Sequence, residues 1–164
     1  MQTLLIFAHT FWEDSKVNKA LLEAAKSLDN LTIHNLSTTY KDNNINVESE
    51  ITLLQKADKI IFQFPLFWFS TPSLMKEWED RVLTAILYSS NPKLLQDKTF
   101  SIITTAHGEE SSYDGHHGYG INTLLSPINH TFAYLGAKIE EAFCIFSANA
   151  DNLPLSEYLA KLKA

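Results

Sequence analysis

The chain has 164 residues, 45% of them apolar, with no low-complexity tract or charge block, which suits one compact domain spanning 1–164 and excludes a disordered or fibrous chain. Its 13 basic residues against 19 acidic ones give a net charge of −6 without a basic stripe, so nucleic acid and anionic membrane surfaces are disfavoured as partners and a small molecule is favoured. No apolar run approaches the ~20 residues of a membrane span and no signal peptide is visible, so a cytoplasmic location is expected; the single Cys144 cannot form an internal disulfide and reads as a small buried hydrophobe.

Apolar strand-like runs alternate with segments of helical period, the pattern of an α/β doubly wound parallel sheet with helices on both faces. The first strand is expected over Thr3–Ala8, followed by a helix in which Val17, Ala20, Leu21, Ala24, Ala25 and Leu28 recur on one face. Asp29-Asn30 turns the chain into a more exposed strand, Leu31–Leu36. A polar loop follows from Ser37 to Asn46, then a helix over Val47–Ala57. Lys59–Phe64 is an apolar run closed by Pro65, as in a strand covered on both faces. Thr71 is expected as N-cap and Pro72 as first residue of a third helix running to Leu83. After a polar connection over Ser89–Lys98 comes a fourth strand, Phe100–Thr104. A long loop to about Asn122 holds four of the five glycines. Ser126-Pro127 is expected to open a helix that ends at Gly136 in the C′ position, followed by a last strand over Lys138–Phe146 and a closing helix over Leu155–Leu162.

In open α/β sheets ligands bind at the carboxyl edge of the strands, and three loops at that edge carry unusual chemistry. The first, Ala8 to Asn18, has no glycine and therefore no G-x-G-x-x-G fingerprint; Ser15, Lys16 and Asn18 instead flank a helix start whose free amides would suit a phosphate monoester, unless Ser15 is only an N-cap. The second places Leu66, Phe67, Trp68 and Phe69 together, a slot for a flat ligand or else core or interface packing. The third, Thr104 to Gly120, is too long for a connector and offers Tyr113, His116 and His117 as donors; its histidines lack the companion ligands and spacing of a metal site.

Together these loops resemble the flavodoxin-like NAD(P)H:quinone oxidoreductases, a family including the DT-diaphorase type and the ancillary proteins of glutathione-gated potassium efflux. The resemblance runs over nearly the whole chain. It is carried by His9…Ser15-x-x-Asn18, by Ala57 to Val82 with Gln-Phe-Pro-Leu-Phe-Trp-Phe-Ser-Thr-Pro at its centre, and by Thr104-Thr105. It implies a flavodoxin-like five-stranded sheet and a flavin whose phosphate sits at Ser15, Val17 and Asn18 near His9. The ring would lie against Pro65, Leu66, Phe67, Trp68 and Phe69 on one side and Thr104, Thr105, Ala106 and His107 on the other. It further implies two-electron, ping-pong hydride transfer from NAD(P)H to quinone-like acceptors, with Tyr113 and His117, or its rival His116, stabilising charge on the reduced ring. FMN is favoured over FAD because the chain lacks the long C-terminal extension of the DT-diaphorase type. A homodimer is implied, with Phe67, Trp68 and Trp78 as its exposed aromatics.

Two departures from the family pattern stand out. Thr10 replaces the proline that usually follows the first-loop histidine, and Ala106-His107 replace a pair of glycines whose freedom at positive φ lets the backbone approach the ring. Two other roles stay open: a one-electron carrier, although its Ser/Thr-Gly-rich phosphate loop is missing, and a regulatory subunit docked on a potassium efflux transporter.

Overall fold

The alternation of apolar residues along four strands builds two separate cores. In the computed structural model, which describes residues 1–163, the strands are β1 (Thr3–Phe7), β2 (Leu31–Asn35), β3 (Lys59–Pro65) and β4 (Thr99–Thr105). Leu4, Ile6, Ile60, Phe62, Phe64, Phe100 and Ile102 pack to one side, against α3 (Val47–Lys56), α4 (Ser73–Trp78), α5 (Thr84–Leu87) and α6 (Ile121–Tyr134). Leu5, Phe7, Ile61 and Ile103 pack to the other, against α1 (Val17–Ala25) and α7 (Leu155–Lys163). Burial on both faces is why β1, β3 and β4 read as nearly continuous apolar runs, whereas β2 is partly exposed. Phe62 anchors the larger core, edge-on to Trp78, Phe100 and Phe132 at centroid distances of 5.5, 5.3 and 5.0 Å.

All strand pairs are parallel, in the order β2-β1-β3-β4, with β5 (Lys138–Ile139) and β6 (Phe143–Ile145) sharing the far edge of β4. The chain winds outward from β1 toward β2 and from β3 toward β4, so the carboxyl ends of β1 and β3 flank the topological switch point, where such sheets leave a crevice.

The elements agree with expectation except at five places. The last strand is not continuous: the Glu140 amide makes the last bond of the first piece, to the Phe100 carbonyl at 2.8 Å, pairing resumes only at Phe143, and the Glu140 carboxylate forms an ion pair with the fully buried Lys59 at 2.7 Å. The polar loop after β2 contains a short helix, α2 (Leu36–Thr39), capped by the Asn35 side chain, which accepts from the Ser37 amide. Pro72 is itself the N-cap of α4 and Thr71 lies outside the helix, one residue away from expectation; the helical run then continues to Leu87 through a π turn at Glu79–Leu83. Pro127 lies inside α6 rather than at its start. Its missing N–H would orphan the Thr123 carbonyl, and the Ser126 hydroxyl donates there instead at 2.8 Å, which lets the helix run through. Finally, Cys144 is half-buried rather than buried; burial pushes its thiol up to about 11, so it is a poor nucleophile. Gly136 does occupy C′ with φ +95°, and the Ala137 and Gly136 amides close a Schellman motif on the Phe132 and Ala133 carbonyls.

Trp78, expected as an exposed dimer aromatic, is fully buried. Its Nε1 donates at 2.7 Å to Glu50, a carboxylate 1% exposed that also receives the Tyr40 hydroxyl and pairs with His34 Nε2 at 2.8 Å. This cluster joins β2, the loop after α2, α3 and α4. Burial by itself would raise the Glu50 carboxyl, but hydrogen bonds from His34, Tyr40 and Trp78 more than offset it and hold it below the usual glutamate value.

Candidate active site

The three loops singled out from the sequence meet at the switch point. The Leu66 amide donates to the Thr105 carbonyl at 2.8 Å, which ties the aromatic loop to the end of β4. The Asn18 side chain donates from Nδ2 to Thr105 Oγ1 at 3.1 Å, which ties the first loop to the same residue. The rings of His9 and Phe11 stand edge-on to Phe67 at 5.5 and 5.8 Å.

In the first loop, Trp12–Asp14 form a single 3₁₀ turn and α1 starts at Val17, with Lys16 rather than Ser15 as N-cap and no side chain capping it. The amides of Val17, Asn18 and Lys19 have no carbonyl ahead of them in the helix. His9 Nδ1 accepts from the Phe11 amide at 2.9 Å, so in the neutral ring Nε2 carries the hydrogen. Its backbone is held on both sides by Ser37 Oγ, which donates to the His9 carbonyl and accepts from its amide. Burial first, then the charge of Lys19, lowers the His9 pKa. A cleft of about 560 Å³ opens beside this loop, lined by His9, Phe11, Trp12, Ser37, Tyr40 and Leu74 among others.

The aromatic loop is a two-residue hairpin. Phe67 and Ser70 exchange both backbone hydrogen bonds at 2.9 Å, and between them Trp68 and Phe69 hold φ of 45° and 65°. Turns of this left-handed kind are normally Asn-Gly, because an ordinary side chain there costs about 1–2 kcal/mol per residue. The strain is not repaid by packing within the chain: Trp68 is 91% and Phe69 59% exposed. Strain kept where it aims large rings outward is a mark of a binding surface.

In the third loop, Thr104 is buried with its hydroxyl on the Phe64 carbonyl at 2.9 Å, and Ala106 is bound into the sheet by the Ile145 carbonyl. Neither Ala106 nor His107 takes a positive φ, so the exchange of the two glycines introduces no backbone strain; Ala106 is buried and His107 points its side chain to solvent. Tyr113 folds back over this turn, its ring stacked on Phe146 at 5.6 Å and its edge 3.1 Å from where a Cβ on Gly108 would sit. The glycine at 108 is what admits the tyrosine. His116 is exposed and bound to Asp114 Oδ1 at 2.9 Å, and His117 is exposed, with no hydrogen bond or ring contact tying it to the other site residues among the described residues. The structure therefore gathers His9, Ser15, Val17, Asn18, Pro65 to Phe69 and Thr104 to His107 at one edge, brings Tyr113 beside them, and leaves His117 outside.

Two residues at the site were missed by sequence reading, Gln63 and Tyr158. Gln63 is fully buried on β3; its Nε2 donates to Asn18 Oδ1 at 3.2 Å and its Oε1 accepts from the Tyr158 hydroxyl at 2.8 Å. The available signal was the one amide in an otherwise apolar strand run.

Comparison with known proteins agrees with this geometry. The family model described as flavodoxin-like fold matches residues 1–164. The chain belongs to this flavodoxin-like family. It is 36% identical over 146 residues to the uncharacterized NAD(P)H oxidoreductase YrkL of Bacillus subtilis, covering 87% of this chain and 84% of that one. It is 35% identical over 154 residues to the glutathione-regulated potassium-efflux system ancillary protein KefF of Klebsiella aerogenes, covering 92% and 87%. Among solved structures, general stress protein 14 of Treponema denticola in complex with FMN superposes with a TM-score of 0.91 at 29% identity, covering 99% of this chain and 98% of that one.

Proposed function

We propose that the protein is a flavin-dependent NAD(P)H:quinone oxidoreductase that uses FMN and passes two electrons as a hydride, in ping-pong order, from NAD(P)H to quinone-like or other flat acceptors. The observation that carries this reading is the strained Trp68-Phe69 hairpin, which holds two exposed aromatic rings beside a phosphate-type donor set at the switch point. The residues fit the cofactor. Unpaired amides at the start of α1 and the Nε2–H of His9 suit a phosphate, and the unstrained Ala106-His107 backbone leaves an approach for a flat ring. When bound, the flavin supplies the hydride chemistry; the chain supplies binding, orientation and donors. Pro65 to Phe69 support stacked rings, the Thr104 to His107 segment borders them, and Tyr113 stands ready to donate to negative charge at the ring's edge. His117, or His116, serves only if the exposed loop folds inward over the ligand. FMN rather than FAD is supported by the FMN complex of the Treponema relative. The rings of Trp68 and Phe69 are proposed to be covered by a second copy in a homodimer, with the cytoplasm as the site of action. Kinship with KefF supports docking on a potassium efflux transporter as a further role.

The deciding experiment is a visible spectrum of protein reconstituted with FMN, taken anaerobically before and after NADPH or NADH and again after a simple quinone. Bleaching followed by quinone-driven recovery is expected; flavin that binds but resists reduction supports the regulatory role instead. Association with a transporter is tested by co-purification from membranes.

The first-loop geometry also sets a pH dependence. With its free-protein pKa held below 6.5 by burial and Lys19, His9 is drawn back up by a neighbouring phosphate, so its contribution to FMN affinity is full below the free-protein pKa and fades as pH rises through the bound value. Titrating wild type and His9→Gln with FMN from pH 5 to 8 should show a ratio of affinities that shrinks with rising pH. A constant ratio places the phosphate away from His9.

A further inference from the structure

Four side chains from four elements form one hydrogen-bonded line beneath the site: Tyr158 on α7, Gln63 on β3, Asn18 on α1 and Thr105 at the end of β4. All four are buried, between 0% and 4% exposed. They occupy the face of the sheet packed by α1 and α7, among the buried apolar side chains Leu5, Phe7, Ile61 and Ile103. A polar line in such a place is costly unless each member is satisfied, so its direction is constrained.

The direction is set from the buried end. The Tyr158 hydroxyl is fully buried, and its hydrogen-bond partner is Gln63 alone among the described residues. Burial raises the phenol above its ordinary pKa, so it stays protonated and must place its hydrogen on an acceptor. Gln63 must then present Oε1 to Tyr158, which turns Nε2 to Asn18. Asn18 in turn presents Oδ1 to Gln63 and Nδ2 to Thr105. The Thr105 oxygen thus accepts from within the protein, and its own hydrogen has to leave the network on the side where the strand ends and the site begins. Reversing the line would leave the Tyr158 hydrogen without an acceptor in the core.

We propose that Tyr158 and Gln63 are positioning residues that act through Asn18 to fix the Thr105 hydroxyl as a donor to the ring of the bound flavin. This rests on the flavin reading above and assigns to the closing helix α7, remote in sequence from the site, a part in tuning it. Without the phenol, Gln63 is free to turn over and Thr105 to donate inward, leaving the ring to face a lone pair instead of a hydrogen.

The test is a double-mutant cycle on flavin affinity, read by fluorescence quenching, with FMN and riboflavin as the two ligands. Tyr158→Phe should weaken both ligands about tenfold in the wild-type background and leave affinity unchanged in a Thr105→Val background, where no hydroxyl remains to orient. Equal losses in the two backgrounds, or no loss in either, overturn the relay and leave Tyr158 a packing residue. A loss confined to FMN also overturns it, because the effect then lies at the phosphate end of Asn18. If the wild type binds neither ligand, the flavin reading fails first and the relay with it. Should Tyr158→Phe not fold, as judged by circular dichroism, Gln63→Met takes its place in the same cycle.

Discussion

Glu50→Ala is expected to lower stability by about 3–5 kcal/mol and the thermal midpoint by roughly 10 °C, making it among the most damaging single changes in the chain. The carboxylate is buried, and three donors from separate elements converge on it: Tyr40, His34 Nε2 and Trp78 Nε1. Alanine removes one acceptor group and leaves all three donors without partners in the core, which is costlier than the loss of any single bond. The same cluster predicts acid sensitivity. Because the folded-state pKa of Glu50 is lowered from 4.5, its contribution is fully present above that unfolded value and is lost as pH falls through the folded one. Urea unfolding of wild type and Glu50→Gln between pH 3 and 7 should therefore converge at the acid end. Curves that stay parallel across that range would show that the cluster is held together by packing rather than by the ionised carboxylate.

That cluster also marks a limit of sequence reading. Periodicity locates α3, and it locates Trp78 on a helix, but nothing local says that Glu50 faces the core, or that Trp78 is drawn inward by it rather than left outside for a partner. The central strands β1, β3 and β4 were legible because each is buried on both faces, so composition alone betrays them; Gln63 was passed over for the same reason, as one polar residue in an apolar run. Pro127 misled because proline is a start signal in general, and only the Ser126 hydroxyl on the Thr123 carbonyl explains how a helix runs through it. At the split of the last strand Glu140 pairs with Lys59, 81 residues away in sequence. For Glu50, Gln63 and Lys59 the missing information was a long-range pairing of a polar group, and for Pro127 a local one. The site loops, by contrast, were legible from composition, since aromatics on a turn and a glycine-rich loop are expensive features to keep without a use.

Replacing Trp68-Phe69 by Asn-Gly is expected to reduce NAD(P)H-driven quinone turnover by at least about 100-fold while leaving the isolated chain as stable as before or up to about 2–4 kcal/mol more so. The stability half follows from geometry. Both residues sit in the left-handed region, where Asn-Gly is at ease, and Trp68 at 91% exposure gives up almost no burial when it is removed. The activity half follows from the loss of the stacking surface, which sets how closely and in what orientation two flat molecules can lie for a hydride to pass. Stability is to be followed by urea unfolding over a range of protein concentrations. A loss of stability that vanishes on dilution assigns the two rings to a contact between copies of the chain, consistent with the homodimer proposed above. A loss at every concentration returns them to packing within the fold, and with it the reading of the hairpin as a binding platform fails. Retained stability together with lost turnover is the combination that only a ligand platform predicts: a turn kept under strain because the rings it carries are needed outside.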